Sequence, residues 1–244
     1  MVELQHYEAA MGSISYGGHE RGKRGDGDLT RARILESAGQ LAAECGYANM
    51  TSKQVCKRAH VNMAAVNYHF GSREGLYAAV LAEAHDRLFT LERLRQILAE
   101  GTAREKLSRT LDELLAHLHG PRSWHVRVLA REFFSPAGFL DPFLQEKVHP
   151  KARLLRGLLS EITGIPQDAS QLDCCIASSM GTCMMLIMLD PAFASSLFPN
   201  LAEKSASLDQ MVKDFIFAGL DDAADKWRAR PTGAGCGTGS DERR

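Results

Sequence analysis

TSKQVCKRAHVNMAAVNYHFGSREGL, residues 51–76, decides how this chain is read. It predicts two short helices joined by a tight turn, then an aromatic anchor and the start of a further helix. Thr51 is an N-cap, because its hydroxyl can accept from an orphan backbone N–H of the next turn. Val55 and Ala59 lie four apart and share one apolar face. Val61 closes the turn, and Asn62 caps a second helix whose inner side carries Ala65 and Val66. Met63, Ala64, Asn67 and Tyr68 are left to face outward. In a helix-turn-helix the second helix lies in the DNA major groove, with residues near its N-terminal end meeting base edges. The segment therefore points to DNA rather than to catalysis.

The global charge is silent on partners: 29 Lys and Arg stand against 30 Asp and Glu, a formal net charge of -1. The local balance is different. Lys53, Lys57, Arg58 and Arg73, with His60 and His69, crowd the motif, where Glu74 is the only acid. Such a patch is the electrostatic footprint of a DNA-reading module, and a solvated helix face is its plainer reading. At 244 residues the chain has length for one large domain or two modest ones, and its composition is that of an ordinary soluble protein. None of the six cysteines (Cys45, Cys56, Cys174, Cys175, Cys183, Cys236) forms a C-x-x-C pair, so reduced thiols of a cytoplasmic protein are expected. Residues 1–28 hold no sustained apolar run of the secretory kind. The apolar run Cys174 to Leu189 is interrupted by Ser178, Ser179, Gly181 and Thr182 and is short for a membrane span, which makes it a core or interface helix.

Helical spacing continues on both sides. Ile34, Leu35, Ala38, Leu41 and Ala42 mark a helix over 30–45 that Gly46 ends. Ser72 caps a long helix to Phe89, with Glu74 favoured in its first turn by the helix dipole. Further helices are predicted over 103–118, 122–135, 139–163, 168–189 and 204–228, with Pro150 kinking or restarting the third of these. No strand alternation and no internal repeat is found. The expected fold is all-α. It has a flexible tail over 1–28, a three-helix helix-turn-helix domain over 29–76, a helical effector-binding and dimerisation domain over 77–228, and a flexible tail over 229–244. Arg21, Lys23 and Arg24 in the first tail offer a basic arm for a minor groove, or simply a disordered leader.

Tyr68-His69-Phe70-Gly71-Ser72-Arg73-Glu74-Gly75-Leu76 resembles the signature of the TetR/AcrR family of bacterial one-component repressors, in which a small residue, Lys or Arg, Glu and Leu follow a Tyr-His-Phe run. The preceding TRARILESAGQLAAECGYANMTSKQVCKRAHV is similar to that family's first two helices, so the resemblance covers about Thr30 to Leu81. VNMAAVNYHFGSREGLYAAVL is most similar to the CecR-like subgroup, and HVRVLAREFFSPAGFLDPFLQEKVHPKARLL resembles that subgroup's C-terminal domain. Arg73 stands where many relatives have Lys, and it adds a planar fork.

The resemblance implies roles by position. Thr51 and Lys53 would sit against the DNA backbone, and Asn62, Met63, Ala64, Ala65 and Asn67 would face the groove. Tyr68, His69 and Arg73 would clamp phosphates, which fix register without reading sequence. Asn67 can pair with adenine and an alanine methyl can pack on thymine. Phe70 reads as a plug joining the motif to the first and fourth helices, and Tyr68 has packing at the helix end as its rival role. A double-stranded DNA operator, a homodimer through the last two helices and a small-molecule effector are the implied partners, with no membrane. For the dimer, Ala177, Ser178 and Gly181 permit close helix approach, and Leu208, Met211, Val212, Phe215 and Ile216 form the facing stripe. An intrachain core is the competing reading of that stripe.

Trp124, Arg127, Arg131, Phe134, Met180 and Met184 are the candidate effector-binding residues. Arg127 and Arg131, four apart, can face an acidic ligand. The plainer arrangement pairs one of them with Glu132 or Asp112, and the Met and Phe residues are more often core. His117, His119 and His125 read as solvated rather than as a metal site, since an H-x-H pair on a helix points its members to different faces. Cys174-Cys175 offers a redox sensor or inert core thiols. No phosphate loop, nucleophile elbow or paired acids of catalytic spacing is present. A repressor without catalytic residues, metal or cofactor is expected, and an all-α adaptor that kept the fold without specific DNA binding is the alternative.

Overall fold

The computed structural model describes residues 19–119, 123–134, 136–138, 141–201 and 206–230. Among these, every regular element is helical. The chain divides into two compact units, Met1–Ala79 and Val80–Arg244.

In the first unit, α1 (His19–Asn49) breaks at Gly46, whose backbone turns to φ 77, ψ 166. Its buried side, Ile34, Leu35, Ala38, Leu41 and Ala42, is the stripe that the sequence predicts. The helix starts well before the expected Thr30, so residues 19–28, expected as tail, are helical. α2 (Ser52–Ala59) buries Val55 and Ala59, α3 (Met63–Phe70) buries Val66, and both pack on α1. Met50, Leu76 and Val55 complete a core from which water is excluded. α4 (Arg73–Leu88) runs from the first unit into the second.

The second unit is a helical bundle. α6 (Ala103–His119), α9 (His149–Thr163), α10 (Ser170–Met188) and α12 (Ala206–Arg228) contribute Leu107, Leu111, Leu115, Leu158, Leu159, Leu172, Cys183, Val212 and Ile216 to one core. α7 (Trp124–Phe134) packs on α10. The segment predicted as one helix over 139–163 is a turn, α8 (Asp141–Phe143), a π-helical stretch Leu144–Val148, and then α9, with Pro150 as its second residue. Two short helices were not predicted: α5 (Leu91–Leu98), started by Thr90, and α11 (Pro191–Leu197), started by Asp190. By length and composition α10 is apolar enough to cross a membrane. It nevertheless packs on α6, α7, α9 and α12, and it buries Leu172, Ser179, Cys183 and Ile187 while Cys174, Ala177, Gly181 and Met185 stay exposed.

Candidate nucleic-acid interface

Local bonds hold the segment 51–76. The Thr51 hydroxyl accepts from the Gln54 N–H at 3.3 Å, and the Gln54 side chain accepts from the Thr51 N–H at 2.8 Å, a reciprocal cap that satisfies two orphan donors. α2 ends at His60 in the left-handed region (φ 53, ψ 47), and the Cys56 carbonyl accepts from the N–H groups of His60 and Val61. Asn62 Oδ1 then accepts from the Ala65 N–H at 2.9 Å and starts α3. α3 ends at Gly71 (φ 73), whose N–H donates to the Asn67 carbonyl. Ser72 Oγ accepts from the Gly75 N–H at 3.0 Å to start α4. At Gly75 a Cβ would lie 2.2 Å from the Phe70 carbonyl oxygen, so the corner between α3 and α4 closes only around hydrogen.

Of the residues expected to meet DNA, Thr51, Lys53, Asn62, Met63, Ala64, Asn67 and Tyr68 are exposed, while Ala65 and His69 are half-buried. Asn62 commits its amide oxygen to the cap, which leaves its NH2 group for an outside acceptor. Tyr68 is 85% exposed, with His69 edge-on to its ring at 5.0 Å. A ring so far out fills no core, which removes the packed reading of Tyr68. Phe70, expected as the plug, is half-buried, with the Arg31 guanidinium of α1 5.3 Å from its ring centre.

Arg73 does not stand where an outward phosphate clamp would place it. Its guanidinium lies 4.2 Å from the Tyr47 ring centre, and Nη2 donates to the backbone carbonyls of Tyr47 and Ala48. The Tyr47 hydroxyl in turn donates to Glu74 Oε1 at 2.9 Å, and its ring packs on Tyr77 at 4.7 Å. A backbone N–H at the start of α4, the Tyr47 hydroxyl and Ser72 hold the Glu74 carboxyl below the usual range. Arg58 is also engaged, donating twice at 2.9 Å to Glu44 of α1. The patch of like charge seen along the sequence is thus partly neutralised, and Lys53 and Lys57 remain its exposed cations on α2. Sequence reasoning missed Glu44 and Tyr47. Their only signal was an acid and an aromatic flanking the Gly46 break, and their partners lie 14 and 27 positions away.

The candidate effector residues are less gathered. Trp124 is buried and stacks on His125 at 3.7 Å. Arg127 and Arg131 are exposed on α7, Met180 and Met184 pack at the margin of the bundle core on α10, and the Phe134 side chain lies outside the described residues. Asp112, expected to pair with Arg127 or Arg131, instead accepts from Lys213 at 2.7 Å. His117 and His119 are not merely solvated: His117 Nε2 lies 2.6 Å from the Leu88 carbonyl, and His119 lies 2.9 Å from Asp209. Cys174 is exposed rather than core, whereas burial pushes the Cys183 thiol up to about 11, so it stays protonated and inert.

A buried cation was not foreseen. Lys151 of α9 is 5% exposed and donates to His85 Nδ1 at 3.0 Å, Asp86 Oδ1 at 3.3 Å and the Phe89 carbonyl at 2.6 Å. Lys147 reaches the other Asp86 oxygen at 2.7 Å. Burial, helped by the Lys151 ammonium, brings His85 down to about 4, so its ring is neutral and accepts from Lys151.

Comparison with known proteins fits this architecture. Residues 34–80 match the model for bacterial regulatory proteins of the tetR family, and residues 103–222 match the C-terminal domain of the HTH-type transcriptional dual regulator CecR. The chain belongs to the TetR family. Within it, the second unit is CecR-like. The "Probable HTH-type transcriptional regulator YttP" of Bacillus subtilis is 27% identical over 38% of this chain and 45% of its own length. The HTH-type transcriptional regulator UidR of Escherichia coli is 25% identical over 44% of this chain and 54% of its own. The chain thus matches about half the length of these curated relatives. Among solved structures, the fatty acid degradation regulator FadR of Bacillus halodurans is similar with a TM-score of 0.58 at 19% identity, over 77% of this chain and 98% of that one. FadR of Bacillus subtilis, solved with stearoyl-CoA, aligns with a TM-score of 0.55 at 19% identity over the same shares. At such identity these two speak for the TetR fold alone.

Proposed function

We propose that the protein is a DNA-binding transcriptional regulator, working in the cytoplasm as a homodimeric repressor that a small-molecule effector releases from a near-palindromic operator. The observation that carries this reading is α3: a helix capped at both ends by its own neighbours, with Met63, Ala64, Asn67 and Tyr68 exposed and Val66 buried. A helix so presented has the form of a major-groove reader. In this reading Asn62, Met63, Ala64, Ala65 and Asn67 meet bases, while Thr51, Lys53, Tyr68 and His69 contact phosphates. Family membership supports the same assignment and disfavours both an enzyme and an adaptor without DNA.

One such helix reads only a few base pairs, so two copies would place their α3 helices roughly 34–36 Å apart. The exposed side of α10 and α12 is the surface we assign to that dimer, with Met185, Met211 and Phe215 each more than half exposed in a single chain. A groove of about 340 Å³ beside Phe215, walled by Cys174, Cys175 and Ser178, gives a second copy relief to fill. The effector would act by preferring the arrangement of heads that does not fit DNA. Arg127 and Arg131 of α7, with Trp124, Met180 and Met184, are the residues we assign to it.

Selection of bound fragments from a random duplex pool tests the function. Enrichment of one inverted-repeat site is expected, with Asn67→Ala relaxing preference at a single position of each half-site. Pools that stay random after repeated selection would sink the reading. Repeating the assay with metabolites and drugs as releasing agents identifies the effector.

A further inference from the structure

The guanidinium of Arg73, the first residue of α4, is turned back into its own unit. It stacks on Tyr47 at 4.2 Å and donates to the carbonyls of Tyr47 and Ala48, which lie just beyond the Gly46 break in α1, where the Tyr47 carbonyl also accepts from the Met50 N–H at 3.2 Å. Tyr47 is gripped from a second direction, since its hydroxyl donates to Glu74 at 2.9 Å and its ring meets Tyr77 at 4.7 Å. Between Arg73 and the end of α3 lie only Gly71 and Ser72. Whatever holds Arg73 therefore holds the C-terminal end of α3.

We infer that Arg73 is a positioning residue: with Tyr47 it forms a latch that ties the start of α4 to the end of α1 and so sets the angle at which α3 is presented. The inference rests on the reading of α3 as the DNA-reading helix, and it replaces the outward phosphate contact expected for this position. A guanidinium suits the task where an ammonium does not. Its flat face covers the Tyr47 ring while an edge N–H reaches the carbonyls, whereas the point charge of Lys can do one or the other. Stacking and charge-assisted hydrogen bonds of this kind are together worth enough to hold a helix end against fraying. The latch also explains the role of Tyr47, which the helix-turn-helix motif alone does not require.

The test uses the full chain and the site it selects from random DNA, with Arg73→Met, Arg73→Lys, Tyr47→Leu and the Arg73→Met/Tyr47→Leu double variant. Arg73→Met and Tyr47→Leu should each weaken the selected site about tenfold. Binding to random duplex and the dependence of log K on log salt should stay unchanged, because no phosphate contact is lost. The double variant should be no weaker than either single one, and Arg73→Lys should not rescue. A phosphate contact gives a different pattern: the salt slope of Arg73→Met falls by about one, Arg73→Lys restores affinity, and Tyr47→Leu binds like wild type. That pattern would overturn the latch. Amide exchange without DNA supplies an independent arm. The amides of α3 should exchange faster in both single variants while those of α9 and α12 do not change, and unchanged exchange in α3 also overturns the latch. Faster exchange in a protein that selects no site would defeat the DNA-reading role of α3 and leave the latch standing.

Discussion

Single residues set the shape of the reading head. Gly75 is fixed by contact rather than by dihedral: a Cβ would sit 2.2 Å from the Phe70 carbonyl oxygen, a backbone atom that cannot swing aside. Gly75→Ala should therefore cost about 2 kcal/mol or more, as overpacking does elsewhere. A denaturant midpoint equal to wild type would show that the corner between α3 and α4 is looser than this geometry. His60 is the opposite case. It holds φ 53 in the turn between α2 and α3, a conformation that disfavours any residue with a Cβ. His60→Gly should raise stability by roughly 1 kcal/mol at most. If the variant loses stability instead, the imidazole makes contacts that outweigh the backbone strain. Thr51, Asn62 and Ser72 were legible as caps because capping spans three residues, and all three make the expected bonds. Arg73 was not legible, because sequence spacing says nothing about a carbonyl 26 positions upstream.

At the scale of elements, the helices with long apolar stripes were readable, and the two short ones were not. α11 was hidden by its own start signal: Asp190-Pro191 reads as a break, yet Asp190 accepts from the N–H groups of Ala192 and Phe193 and Pro191 fits the first turn. α5 is eight residues long and buries only Leu94 and Ile97, too short a pattern to stand out beside its longer neighbours. The link between α4 and α9 has a consequence for pH. His85, down at about 4 from an ordinary 6.5, binds its proton in the unfolded chain before the folded one. Its contribution is complete above pH 6.5, falls as the pH drops towards 4, and amounts to at most about 3 kcal/mol. Asp86 acts in the same direction further down: burial would raise its carboxyl, but Lys147 and Lys151 hold it below the usual range. Melting temperature should thus fall between pH 6.5 and 4, and His85→Gln, whose amide can still accept from Lys151, should flatten that slope. A slope unchanged in His85→Gln would mean that other groups carry the acid sensitivity.

For the molecule as a whole, the informative surface is the one that a single chain leaves bare. Phe215 is 71% exposed on α12 and Met185 57% on α10, beside core residues from which water is excluded. Large exposed apolar side chains clustered on adjacent helices mark an association surface. Phe215→Glu should convert a dimer to a monomer in sedimentation without changing helical content, since the side chain supports no intrachain core. A dimer that survives the change would move the interface elsewhere.

The sequence by itself determined the all-α class, the caps of α2, α3 and α4, the outward set on α3 and the likeness to the TetR family. All of these depend on neighbours within a few positions or on periodicity along one helix. Only the tertiary structure decided which charges are free. It paired Arg58 with Glu44, turned Arg73 onto Tyr47, gave Asp112 to Lys213 and enclosed Lys151 with His85 and Asp86. The reason is physical: an ion pair or a stack depends on distance in space, and folding brings together side chains that the chain separates by tens of residues.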